Sequence, residues 1–148
     1  MKETRHFIGA KSTREDAFHA ISTPQGLQHW WASTAQGKVE QGETLSLIFS
    51  GLTTLHFRYD VIVPNEKLIL TCFDSFKSWD GTQLVFDLEE KEGQLFITLT
   101  HRNINPDDME SLTYFSSKWT IYLLSLKQFL ETGKGTPYPT ESKLYHGD

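Results

Sequence analysis

One cysteine, Cys72, is all the chain carries, so no intrachain disulfide can form and a reducing compartment fits. Basic residues are the next shortage. Lys and Arg number 14 against 19 Asp and Glu, a net charge of −5, with a pI near 5.6. No run of Lys or Arg offsets that balance, which argues against nucleic acid or an anionic membrane as a partner. Long apolar runs are missing too. No window offers the ~20 apolar residues of a membrane span, and Met1-Lys2-Glu3-Thr4-Arg5-His6 leads into no signal-peptide core. The expected location is the cytoplasm. The six histidines (positions 6, 19, 29, 56, 101 and 146) make no His-x-x-x-His pattern, and there is no Cys-x-x-Cys, so no metal site is expected. Neither a Gly-x-Ser-x-Gly elbow nor a Gly-x-Gly-x-x-Gly or phosphate loop occurs. No cofactor is therefore expected.

What is present is a globular pattern. A chain of 148 residues fits one domain and buries roughly 70% of its unfolded surface without help from metals or disulfides. Thr4 to Lys11 reads as a strand. Ser12-Thr13-Arg14-Glu15 has the spacing of a capping box, and Ala17, Phe18 and Ile21 continue a short helix to about Ser22. Pro24 opens a second short helix carrying Leu27, Trp30 and Trp31. The middle of the chain alternates with period two. Leu45, Leu47 and Phe49 form one strand; Leu55, Phe57, Tyr59, Val61 and Val63 form the next. Leu68, Leu70 and Cys72, then Leu84, Phe86 and Leu88, then Leu95, Ile97, Leu99 and His101 follow, with turns at Pro64-Asn65, Asp80-Gly81 and Glu92-Gly93. Short turns between strands imply antiparallel pairing.

Asn105-Pro106-Asp107-Asp108 reads as the start of a helix of about 26 residues, roughly 39 Å long, that stops at Gly133 or Gly135. Leu112, Phe115, Trp119, Tyr122, Leu123, Leu126 and Leu130 make its apolar stripe. One such helix cannot cover both faces of a sheet, so the economical arrangement bends the sheet around it. The expected fold is α+β: a curved antiparallel sheet gripping a long C-terminal helix, with two short helices after the first strand. Residues 1–138 form the domain, and 139–148 a polar tail on the surface or frayed.

At this point the chain resembles a known family. Thr23-Pro24-Gln25-Gly26-Leu27-Gln28-His29-Trp30-Trp31 is similar to a segment of proteins like the activator of the ninety-kilodalton heat-shock chaperone ATPase, within the START-like (SRPBCC, birch-pollen-allergen-like) superfamily. Trp79-Asp80-Gly81-Thr82, Leu99-Thr100-His101, and Trp119 with Leu123 and Leu126 extend the resemblance to about Tyr138. It implies the helix-grip fold with a cavity between sheet and helix. It implies no single chemistry, because the superfamily includes lipid carriers, hormone receptors, polyketide cyclases and co-chaperone domains. Many relatives place glycine just before the helix tryptophan, where this chain has Lys118.

The side chains this arrangement turns inward are the expected cavity lining: Trp30, Trp31, Phe49, Phe57, Tyr59, Phe86, Leu99, Phe115, Trp119, Tyr122 and Leu123. Adjacent residues on a helix point about 100° apart, so one of Trp30 and Trp31 can anchor the core while the other borders the cavity. The alternative is that both pack against the sheet. His101 is a candidate general base, against the plainer reading of a hydrogen-bonded histidine before a turn. Cys72 reads as a buried thiol, and Asp107, Asp108 and Glu110 as helix-dipole partners. Tyr114, Ile121 and Leu124 fall off the main stripe as a candidate homodimer or partner patch. Three functions compete: binding of a small hydrophobic or aromatic molecule, a co-chaperone-type interaction, and a cofactor-free cyclase, dehydratase or hydrolase using His101, Tyr122 or Tyr59.

Overall fold

Alternation decides the strands, and the computed structural model, which describes residues 1–148, shows where each one runs. The chain forms β1 (Lys2–Ala10), α1 (Arg14–Ser22), α2 (Pro24–Leu27), β2 (Thr34–Gly37), β3 (Thr44–Phe49), β4 (Thr53–Val63), β5 (Lys67–Phe73), β6 (Gln83–Lys91), β7 (Gln94–Ile104) and α3 (Met109–Thr132). All seven strands join one antiparallel sheet in the order β1-β7-β6-β5-β4-β3-β2. The two edges are β1 and β2, and α1 with α2 carries the chain from one to the other. The sheet curves around α3, which buries Phe115, Trp119, Tyr122, Leu123 and Leu126. This is the helix-grip arrangement.

Local chemistry places the helix pair. Thr13, not Ser12, caps α1: its hydroxyl accepts from the Asp16 amide at 3.1 Å, one residue later than the capping-box spacing suggests. Thr23 caps α2 in the same way through the Gly26 amide at 2.9 Å, and Pro24 sits where no donor is needed. Gly26 is required by contact, since a Cβ there would lie 2.4 Å from the His19 carbonyl oxygen. Thr-Pro-x-Gly-Leu is thus a device for folding α2 directly against α1.

Two other expectations shift. The alternation through Leu55–Val63 predicts Val61 and Val63 inward, but the β4–β5 register slips between Tyr59 and Val61. That bulge flips the parity. Ile62 then packs on the core while Val63 is exposed. The long helix starts at Met109, three residues later than the Pro106 start, because Asp108 supplies the cap by accepting from the Ser111 amide at 3.1 Å. Asn105 instead closes a turn onto the Asp107 amide at 3.0 Å. At the other end Gly133 closes the helix in the left-handed conformation, its amide bonded to the Phe129 carbonyl.

The chain leaving α3 is tied down up to Tyr138, where the expected tail begins. The Thr136 amide donates to the Ser125 hydroxyl at 2.7 Å, and the Tyr138 amide donates to the Trp31 carbonyl at 2.9 Å. Gly135 crosses where a Cβ would meet the His29 carbonyl oxygen at 2.5 Å. Beyond it the chain runs over the surface, yet Glu141 and Asp148 turn their carboxylates inward, with side-chain exposures of 1% and 3%. Their partner, Lys118, lies more than twenty residues upstream, too far for composition to reveal it.

Candidate functional site

Between one end of α3, strands β3 and β4 and the loop after β5 the packing leaves a cavity of about 130 Å³. Eleven of its fifteen lining residues are hydrophobic. Trp31 is its hub, with ring centres 4.9 Å from Trp119, 6.0 Å from Phe49 and 6.2 Å from Trp79. Leu55, Phe115, Tyr122 and Tyr138 add to the apolar wall. The cavity adjoins a surface groove bordered by Leu52, Phe76, Leu144 and Tyr145, all of them 40% or more exposed.

Trp31, Phe49, Phe115, Trp119 and Tyr122 are therefore the expected lining residues that the structure brings to the cavity. Trp30, Phe57, Tyr59, Phe86, Leu99 and Leu123 are core residues that do not line it. Trp30 faces the helix pair, and its indole N–H donates to the Ala20 carbonyl at 2.8 Å. The Tyr59 hydroxyl donates to the Ser22 carbonyl at 2.6 Å, and burial pushes its pKa up, so it offers no free polar handle. Cys72 is buried and unpaired. Burial raises its thiol to about 11, which keeps it protonated.

His101 is a buried histidine held on both sides by hydrogen bonds. It is fully buried, and its Nδ1 accepts from the Trp119 indole N–H at 3.1 Å. Nε2 must then carry the proton and donate to the Thr82 hydroxyl at 3.0 Å, which in turn donates to the Trp79 carbonyl at 2.7 Å. Both ring nitrogens are committed. Burial, and then the nearby His6, lowers its pKa to about 3. Its ring also lies 4.7 Å from Trp79 and 4.5 Å from Phe115. The residue fixes two cavity walls.

The cavity also has a polar side, formed by Lys118, Glu141 and Asp148. Lys118 is 5% exposed and ion-pairs with Glu141 at 2.9 Å and Asp148 at 2.6 Å. Glu141 also accepts from the Tyr122 hydroxyl at 2.8 Å and from Lys143 at 2.7 Å. Asp148 accepts from the Tyr114 hydroxyl at 2.6 Å and the Leu144 amide at 2.8 Å. Burial pushes both carboxyls upward, but these donors together outweigh it and hold them below the ordinary carboxylate range. Burial and the neighbouring carboxylates raise the Tyr114 and Tyr122 phenols. Tyr114 thus leaves the patch proposed for it with Ile121 and Leu124: it lines the cavity, while Leu124 stays 54% exposed. A signal existed in the sequence. Tyr114, Lys118 and Tyr122 recur every four residues and so share one ridge of the helix. Trp79, also missed as a lining residue, sits in the turn after β5, where alternation gives no guidance.

No three His, Cys, Asp or Glu side chains converge as a metal-ligand set, and no helix is long and apolar enough to cross a membrane. The family model for activator of Hsp90 ATPase homolog 1-like protein matches residues 11–131. No curated protein matches. The solution structure of the Aha1 dimer from Colwellia psychrerythraea is similar at 34% identity and a TM-score of 0.80, covering 91% of this chain and all of that one. A Staphylococcus saprophyticus protein shares 22% identity with a TM-score of 0.76, over 90% of this chain and 95% of that one. A Mesorhizobium loti protein shares 15% with a TM-score of 0.78, over 87% and 96%. The last two speak to the fold alone.

Proposed function

Because the chain belongs to the family of activator of Hsp90 ATPase homolog 1-like proteins, whose fold commonly binds small hydrophobic molecules, we propose that it is a binding module for one. The cavity carries the reading. Its walls are mostly aromatic, His101 holds two of them in place, and apolar side chains border the adjoining groove. A dry apolar space of about 150 Å³ accepts a single benzene-sized ring, so the cavity as it stands suits one aromatic ring. Ligands that bind only the folded state raise its stability. Small aromatic compounds should therefore raise the melting temperature, and Trp31→Ala should remove the effect. A panel of aromatic and aliphatic compounds producing no shift would remove the reading.

A second function is favoured by the exposed apolar collar of Leu52, Phe76, Leu144 and Tyr145 and by the family's name: a co-chaperone-type contact with a chaperone ATPase. Adding the protein to such an ATPase and finding neither binding nor altered turnover disposes of it. A cofactor-free enzyme is the weakest reading, since His101, Tyr59 and Tyr122 are each committed to structural hydrogen bonds.

A further inference from the structure

From the geometry we infer that Lys118, with the Tyr114 hydroxyl, is a receptor for the carboxylate of an apolar monoanion, and that Asp148 occupies that receptor until the ligand displaces it. The inference rests on the cavity being a ligand site and adds the chemical class of what enters.

Three observations converge. The first is position: Lys118 is the only cation lining the cavity, and a buried ammonium among tryptophans is costly without an anion. The second is the shape of the site it makes. One Asp148 oxygen takes the Tyr114 hydroxyl and the other takes Lys118, so the donors grip the two oxygens of a planar carboxylate. The third is how weakly that anion is tethered. Glu141 lies three residues beyond the anchored Tyr138 and holds three donors. By contrast, no residue from Ser142 to Gly147 hydrogen-bonds to the sheet or to α3; their bonds run only to Glu141 and Asp148. Asp148 is the single polar point that holds this strap down.

Charge selects the ligand further. Lys118 and Lys143 balance Glu141 and Asp148. Exchanging Asp148 for another monoanion keeps the cluster neutral, whereas a dianionic phosphate would bury an excess charge. Size agrees. About 130 Å³ is below the usual span of ligand pockets, roughly 300–1,000 Å³. Lifting the strap joins the cavity to the groove, which Leu144, Tyr145 and Asp148 help to line. The expected ligand is an aromatic or aliphatic carboxylic acid with its head on Lys118 and its body among the indoles.

Calorimetric titration with 2-naphthoate and its neutral isostere 2-naphthamide tests this. The acid should bind the intact protein about tenfold more tightly than the amide. Asp148→Asn, which keeps the shape and removes the competing charge, should tighten naphthoate several-fold and leave naphthamide unchanged. Lys118→Met should erase the preference; if it does not fold, as judged by circular dichroism, Asp148→Asn decides alone. Equal affinity for acid and amide overturns the carboxylate receptor and leaves the cavity reading standing. Unchanged naphthoate affinity in Asp148→Asn overturns the displacement. No binding of either compound to the intact protein or to Asp148→Asn overturns both readings together.

Discussion

The two halves of the interior solve one packing problem differently. Toward β6 and β7, Phe86 and Leu99 sit opposite each other across the strands, and with Leu123 of α3 they are fully sealed. At the other end Trp31, Trp79 and Trp119 meet at tilted angles, leave space between them, and give one wall to an ammonium. Flexible aliphatic side chains fill gaps; large flat rings held by hydrogen bonds cannot. The lesson is that the cavity is maintained by polar bonds at its rim: His101 to Trp119, Thr82 to Trp79, and Lys118 to the tail.

The largest test of that contrast is Phe86→Ala against Phe115→Ala. Truncation in the sealed half should cost about 4 kcal/mol and truncation beside existing space about 3 kcal/mol, the cost rising with the void created. Equal losses in denaturant unfolding would erase the distinction between the halves. Lys118→Met comes next. It strands two buried carboxylates and should cost about 3 kcal/mol, most of it recovered when Glu141→Gln and Asp148→Asn are added. A triple variant no more stable than Lys118→Met would mean the cluster matters by packing alone.

A smaller effect separates the rim from the tail by pH. The folded His101 pKa lies near 3, below the unfolded value near 6.5, so the unfolded chain takes its proton first. Its contribution is complete above pH 6.5 and is lost as pH falls toward 3, with a slope of about 1.4 kcal/mol per unit. The His6 pKa is lowered by burial in the same direction. Glu141 and Asp148 act the same way in a lower window. Their stabilisation is present above about pH 4 and lost as pH falls through their depressed folded values. Chemical unfolding at stepped pH should show the first loss shrink to the His6 share in His101→Gln and the second persist. The smallest expected effect is Leu124→Asn on the exposed side of α3, within about 0.5 kcal/mol. If that face joins two copies, light scattering will show the substitution shifting the molecular mass.

Much of the architecture was legible because burial imposes periods. Alternation marked β3 through β7, and the stripe from Leu112 to Leu130 marked the helix they grip. What escaped was whatever a period cannot encode. The β4 bulge leaves the Leu55–Val63 alternation unbroken in sequence while reversing its last residues in space. Asp108 outcompeted Asn105 as a cap, although both have suitable side chains. Half of the site was hidden for a related reason. Inward alternation identifies buried rings but does not say which of them border empty space, so Phe57 and Phe86 looked equivalent to Phe49. Lys118 looked like a departure from a glycine, and its meaning depends on two carboxylates in a segment whose polar composition suggested only solvent.

Three of the four indoles border the cavity, and the closest pair is 4.9 Å apart. The protein therefore carries its own optical gauge. Tryptophan emission and exciton-coupled bands in the near ultraviolet originate almost wholly at one place, so they follow filling of the cavity while the sheet stays silent.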